Sequence, residues 1–136
     1  MKRREFMALA AAGVLVPAAA NATIQYTPGL VQAELDAGNT LFLDWRADWC
    51  VTCNVQQRVI TGLKAQNPAY DENIVFIDID WDRFRRDRIT KQYRIPRRST
   101  LVAVKGEREI GRLIAQTRER QIKELMDAAL EASLFA

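Results

Sequence analysis

Apolar residues occur in short blocks separated by turn formers, and the period of the blocks changes in a regular order along the chain. Leu41-Phe42-Leu43 and Ile74-Val75-Phe76-Ile77-Asp78-Ile79 are nearly continuous apolar runs, the pattern of strands covered on both faces. Between them, a helix opening near Cys50 places Val55, Val59, Ile60 and Leu63 on one face, and Asn67-Pro68 stops it. Upstream, Thr23 to Tyr26 predicts a short first strand, and Thr27-Pro28 opens a helix through Ala37 that Gly38-Asn39 ends. Downstream, the charged stretch from Asp82 to Tyr93 predicts a surface helix. Thr100 to Val104 and Arg108 to Leu113 predict a hairpin turning across Lys105-Gly106-Glu107. Thr117 is placed to cap a last helix whose apolar stripe is Ile122, Leu125, Met126, Ala129 and Leu130. The order strand, helix, strand, helix, strand, helix, hairpin, helix predicts an α/β fold with a central mixed β-sheet flanked by helices on both faces.

The chain has 136 residues, 49% of them apolar, which is enough for one core, and no repeat or long linker points to a second domain. Its amino terminus carries Lys2-Arg3-Arg4, an apolar stretch from Phe6 to Val16, then Pro17 and the small residues Ala18-Ala19-Ala20-Asn21-Ala22. That pattern predicts an export signal over residues 1–22, cleaved before Thr23, with residues 23–136 as the mature domain. The apolar stretch is too short for a permanent membrane span. Arg3-Arg4-Glu5-Phe6-Met7 is similar to the twin-arginine export signal, and an ordinary secretory signal is the alternative. Either route predicts the bacterial periplasm.

Charge narrows the partners. The formal net charge is +3, of which residues 2–5 supply +2, so the mature domain is close to neutral. Arg83, Arg85, Arg86, Arg88, Lys91 and Arg94 interleave with Asp78, Asp80, Asp82 and Asp87, which reads as a solvated helix face rather than a nucleic-acid surface, with Arg97 and Arg98 as exceptions to that face. With two cysteines and no histidine, the chain has no Ser/His or Cys/His catalytic pair and no single-chain zinc site of Cys and His alone.

The remaining chemistry lies in Leu43-Asp44-Trp45-Arg46-Ala47-Asp48-Trp49-Cys50-Val51-Thr52-Cys53, between a buried strand and a helix start. Unpaired backbone N–H groups and the macrodipole at a helix amino terminus favour a Cys50 thiolate. Two intervening residues bring Cys53 within disulfide reach one turn further in, separating an accessible attacking thiol from a resolving one. A structural disulfide closing so short a loop restrains the unfolded chain little, and no second Cys pair completes a zinc site. A soft-metal module, with Cys50 and Cys53 holding an ion such as Cu(I), is the alternative from another class.

Ala47-Asp48-Trp49-Cys50-Val51-Thr52-Cys53 resembles the active site of the thioredoxin superfamily, and especially the carboxy-terminal domain of the membrane thiol transporter DsbD. The resemblance extends over most of residues 23–130 and implies a thioredoxin fold. It implies a thiol-disulfide oxidoreductase whose only redox group is the Cys50–Cys53 disulfide, with no added cofactor or metal. Asp44, six residues before Cys50, matches the family's buried aspartate, implied to exchange a proton with Cys53 during resolution. Substrate contact is implied at Trp49, which flanks the nucleophile, and at Arg98, Ser99 and Thr100 on the facing loop. There the chain departs from the family. Ser99 stands where thioredoxins carry a cis-proline, and Pro96 comes too early to replace it. A cis bond before a non-proline residue costs about 2.5–4 kcal/mol, so a trans peptide and a reshaped loop are expected at Ser99.

Oxidases of the superfamily place a histidine between the cysteines, where this chain has Val51 and Thr52. The resemblance therefore implies the reducing direction, acting on disulfides of periplasmic proteins; Arg97 and Arg98 on the facing loop argue the other way, and a disulfide oxidase or isomerase is the alternative. Electrons are then implied to come from a membrane thiol transporter of the DsbD or CcdA type.

Overall fold

The structure, a computed structural model, describes residues 22–135. The export signal read from residues 1–22 lies outside the described residues except for Ala22. Five strands form one sheet: β1 (Ile24–Gln25), β2 (Thr40–Arg46), β3 (Ile74–Asp80), β4 (Thr100–Lys105) and β5 (Arg108–Ile114). Their order is β1-β3-β2-β4-β5, with β1, β3 and β2 parallel and the β4–β5 hairpin antiparallel to β2. The helices are α1 (Leu30–Asp36), α2 (Val51–Gln66), α3 (Ala69–Asn73), α4 (Trp81–Phe84), α5 (Arg88–Gln92) and α6 (Glu119–Leu134). The expected α/β architecture, a mixed sheet with helices on both faces, is what forms.

Alternation along the strands builds two cores. Leu41, Leu43 and Trp45 of β2 point to one face, where they pack with Val31, Phe84 and Ile89 from α1, α4 and α5. Phe42 points to the other, against Ile60 and Leu63 of α2, Tyr70 of α3 and Ile122, Met126 and Ala129 of α6. Asp44 shares the Phe42 face, so the α2 side of the sheet carries a carboxylate in its strand core.

Three expectations change. The predicted helix over residues 82–93 is two short helices, because Phe84 and Ile89 are both buried in the same cluster. Five positions in a continuous helix lie about 140° apart, so the chain must turn between them for both to face the sheet. Asp80 caps α4 by accepting the Asp82 N–H (3.0 Å), and buried Thr90 secures the turn, donating to the Phe84 carbonyl (2.6 Å) and accepting from Trp45 Nε1 (2.9 Å). Thr117 is not the cap of α6. Arg118 holds that position without a side-chain cap, and its carbonyl takes the Ile122 N–H at 3.1 Å. On α2 it is Gln56, not Val55, that is fully buried, because that position faces the loop before β4 rather than the apolar core.

Candidate active site

The carboxyl end of β2 delivers the chain into a tight turn, with Cys50 N–H bonded to the Ala47 carbonyl at 3.1 Å, and α2 starts there. Cys50 is the N-cap residue: its backbone is extended, and its Sγ accepts the Cys53 N–H at 3.2 Å. That bond satisfies one of the helix's free amino-terminal N–H groups, the arrangement that favours negative charge on this sulfur. Cys50 and Cys53 are joined as a disulfide with their Cα atoms 5.2 Å apart. Cys53 is wholly buried and Cys50 keeps 2% exposure, recessed between Trp49 and Val51, which are 57% and 77% exposed. Cys50 is thus more covered than expected, with the Ser99 hydroxyl within hydrogen-bond distance of both sulfurs.

Asp44 is buried, and neither of its carboxyl oxygens has a hydrogen-bond partner among the described residues. Burial pushes its pKa well above the usual carboxylate range, and Asp78 adds to the rise while Arg46 opposes it. Asp78 is directly opposite on β3, buried on the same face and also raised by burial. Arg46 approaches Asp78 at 3.9 Å and bonds Asn54 Oδ1 at 2.8 Å, tying the strand end to the first turn of α2. Burial and the neighbouring Asp78 thus favour the protonated form of Asp44, on the same side of the sheet as α2.

The loop facing the disulfide is reshaped as expected. The peptide before Ser99 is trans, and Ser99 adopts a left-handed conformation with φ 68°. For a residue with a Cβ this strain costs on the order of 1–3 kcal/mol, held only if its surroundings determine it. They do: Ser99 N–H donates to the Trp45 carbonyl (2.7 Å), and its carbonyl accepts from Ala115 N–H (2.8 Å) and Gln56 Nε2 (3.1 Å). A proline at this position has no N–H to give Trp45. Ser99 Oγ then sits 3.2 Å from Cys50 Sγ and 3.1 Å from Cys53 Sγ.

Arg98 stacks over the Trp49 ring at 4.5 Å, and Trp49 Nε1 donates to Asp82 at 2.7 Å, so both are placed beside Cys50 as a half-exposed rim. Thr100 is fully buried and its hydroxyl donates to the Arg97 carbonyl at 2.7 Å, so its side chain supports the loop rather than facing outward. Sequence reasoning missed Gln56, whose Nε2 also donates to the Gln116 carbonyl at 2.9 Å and so joins both loops to α2. Its signal was a polar residue one turn beyond Cys53 on the inward face of the helix.

No protein-family model and no curated protein sequence matches the chain. Solved structures do. A thioredoxin-like protein, Trxlp, from Edwardsiella tarda is 24% identical, with 76% of this chain and 98% of that one covered and a TM-score of 0.66. Oxidized mitochondrial thioredoxin 3 from Saccharomyces cerevisiae is 23% identical over 77% and 94% of the two chains, with a TM-score of 0.60. Schistosoma mansoni thioredoxin is 16% identical over 79% and 94%, with a TM-score of 0.63. At these identities the likeness establishes the thioredoxin fold.

Proposed function

We propose that the protein is a thiol-disulfide oxidoreductase that reduces protein disulfides in the periplasm. The observation that carries this reading is the Cys50–Cys53 pair at the amino terminus of α2, with raised-pKa Asp44 on the sheet face beneath that helix. In the reaction, the Cys50 thiolate attacks one sulfur of a substrate disulfide, and the other substrate sulfur leaves as a thiolate. Cys53, its proton taken up through Asp44, then attacks Cys50 Sγ and releases the second substrate thiolate. The substrate gains two electrons and the protein ends as the disulfide. The reducing direction is supported by the uncharged Val51 and Thr52 between the cysteines and by a base for the resolving step. The basic, apolar and small-residue pattern of residues 2–22 supports export, and the absence of any nicotinamide or flavin motif from the sequence supports a membrane thiol transporter of the DsbD or CcdA type as electron donor.

Cys53→Ser provides the test. Mixed with a disulfide-containing protein such as insulin, the variant accumulates a covalent adduct through Cys50, visible on a non-reducing gel and dissolved by dithiothreitol. Catalysed insulin reduction by the wild type disappears in Cys50→Ser. A wild-type protein that does not accelerate insulin reduction, or a variant that forms no adduct, contradicts the reading.

A further inference from the structure

Ser99 Oγ lies within hydrogen-bond distance of both sulfurs, at 3.2 and 3.1 Å. In the disulfide neither sulfur carries a proton, so the hydroxyl is the donor. A disulfide sulfur is a weak acceptor, whereas a thiolate is a charged one, so the same bond strengthens when the pair is reduced. The hydroxyl is also held in place. Its residue sits in a strained left-handed conformation that a glycine would adopt without strain, and Trp45, Ala115 and Gln56 fix its backbone there. Wholly buried, Ser99 is shielded from solvent that would weaken the bond.

We propose that Ser99 is a catalytic hydrogen-bond donor that stabilises the Cys50 thiolate in the reduced protein and passes to the Cys53 thiolate as that sulfur resolves the mixed disulfide. The proposal rests on the thiol-disulfide exchange reading above and adds to it the residue that stands at the cis-proline position. Ser99 gives up no proton and forms no bond to substrate. The electron pairs move only among sulfurs: the substrate S–S bond breaks as the Cys50–substrate bond forms, and that bond breaks as Cys50–Cys53 forms. One O–H serves both steps because the two sulfurs are nearly equidistant from it and are charged in turn.

The test uses the full chain with Ser99→Gly and Ser99→Ala. Glycine suits the positive φ, so the first variant folds without the hydroxyl, and its thermal melt confirms this. The readouts are the thiolate absorbance near 240 nm titrated against pH in the reduced protein, and the reduction potential in glutathione buffers. Loss of the donor weakens the Cys50 thiolate about tenfold, moving its titration midpoint up by about one pH unit. Because the reduced form loses stability, the potential becomes more negative by about 30 mV, the same tenfold change for a two-electron couple. Exchange rates are not the criterion, since a thiolate of higher pKa is rarer but more nucleophilic. Both variants titrating and equilibrating as the wild type does, while all three exchange with glutathione, overturns the role of Ser99 and leaves the oxidoreductase reading standing. A wild type that never exchanges with glutathione overturns both.

Discussion

Replacing Asp44 by alanine should make the protein more stable and a poorer catalyst. Asp44 is a buried carboxyl with no hydrogen-bond partner among the described residues, and burying such a polar group costs about 1–3 kcal/mol. The substitution removes that cost and leaves a cavity of about 25 Å³, worth about 0.6 kcal/mol of destabilisation at about 24 cal/mol per Å³. The net gain is about 0.4–2.4 kcal/mol at pH 8, or a rise in Tm of about 1–14 °C for a domain of this size. The pH dependence carries the sharper signature. Burial, reinforced by Asp78, raises the pKa of folded Asp44 well above its unfolded value near 4. Between those two values the folded state keeps a proton that the unfolded chain has lost. Stability therefore falls as pH rises through that window, by up to about 1.36 kcal/mol per pH unit from this group, and levels off above the raised value. Asp78 is raised in the same direction, so Asp44→Ala reduces the slope without abolishing it. Urea melts from pH 4 to pH 9 measure both effects, and insulin reduction at pH 7 falls at least about tenfold as the resolving step loses its base. A variant less stable than wild type at pH 8, or one with an unchanged pH slope, refutes the claim that Asp44 is an uncompensated buried carboxyl.

Two substitutions probe the supports around the site. Thr90→Val leaves the buried Trp45 Nε1–H and the Phe84 carbonyl unpaired and lowers stability by about 1–3 kcal/mol in urea melts, whereas Thr90→Ser keeps both bonds; equal losses would refute the bonding role. Gln56→Leu removes the donor to the Ser99 and Gln116 carbonyls, and the potential measured against glutathione moves in the same negative direction as in Ser99→Gly but by less. An unchanged potential would separate Gln56 from the positioning of Ser99.

The sheet and the disulfide were legible because they rest on local signals. Apolar runs marked β2 and β3, the Gly106 turn marked the hairpin, and two residues between cysteines at a helix start marked the redox pair. Asp44 was visible as a charge in a strand core. What escaped depends on contacts distant in sequence. The break between α4 and α5 comes from Phe84 and Ile89 sharing one core cluster with Trp45, some forty residues away, while the charge pattern of residues 82–93 fits a single helix equally well. Gln56 is a polar residue on the inward face of α2 whose partners, the Ser99 and Gln116 carbonyls, lie far away in sequence. Ser99 was recognised as a departure from proline, but its hydroxyl acquires meaning only once the trans peptide and positive φ aim it at the sulfurs.

The reduction potential of the purified full chain in glutathione buffers, followed by the redox state of Cys50 and Cys53, tests the central claim most directly. The account predicts a reversible two-electron couple near that of thioredoxin, about −270 mV. A value near that of DsbA, about −120 mV, would contradict the reducing direction, and cysteines that never equilibrate with glutathione would contradict the assignment of thiol-disulfide exchange itself.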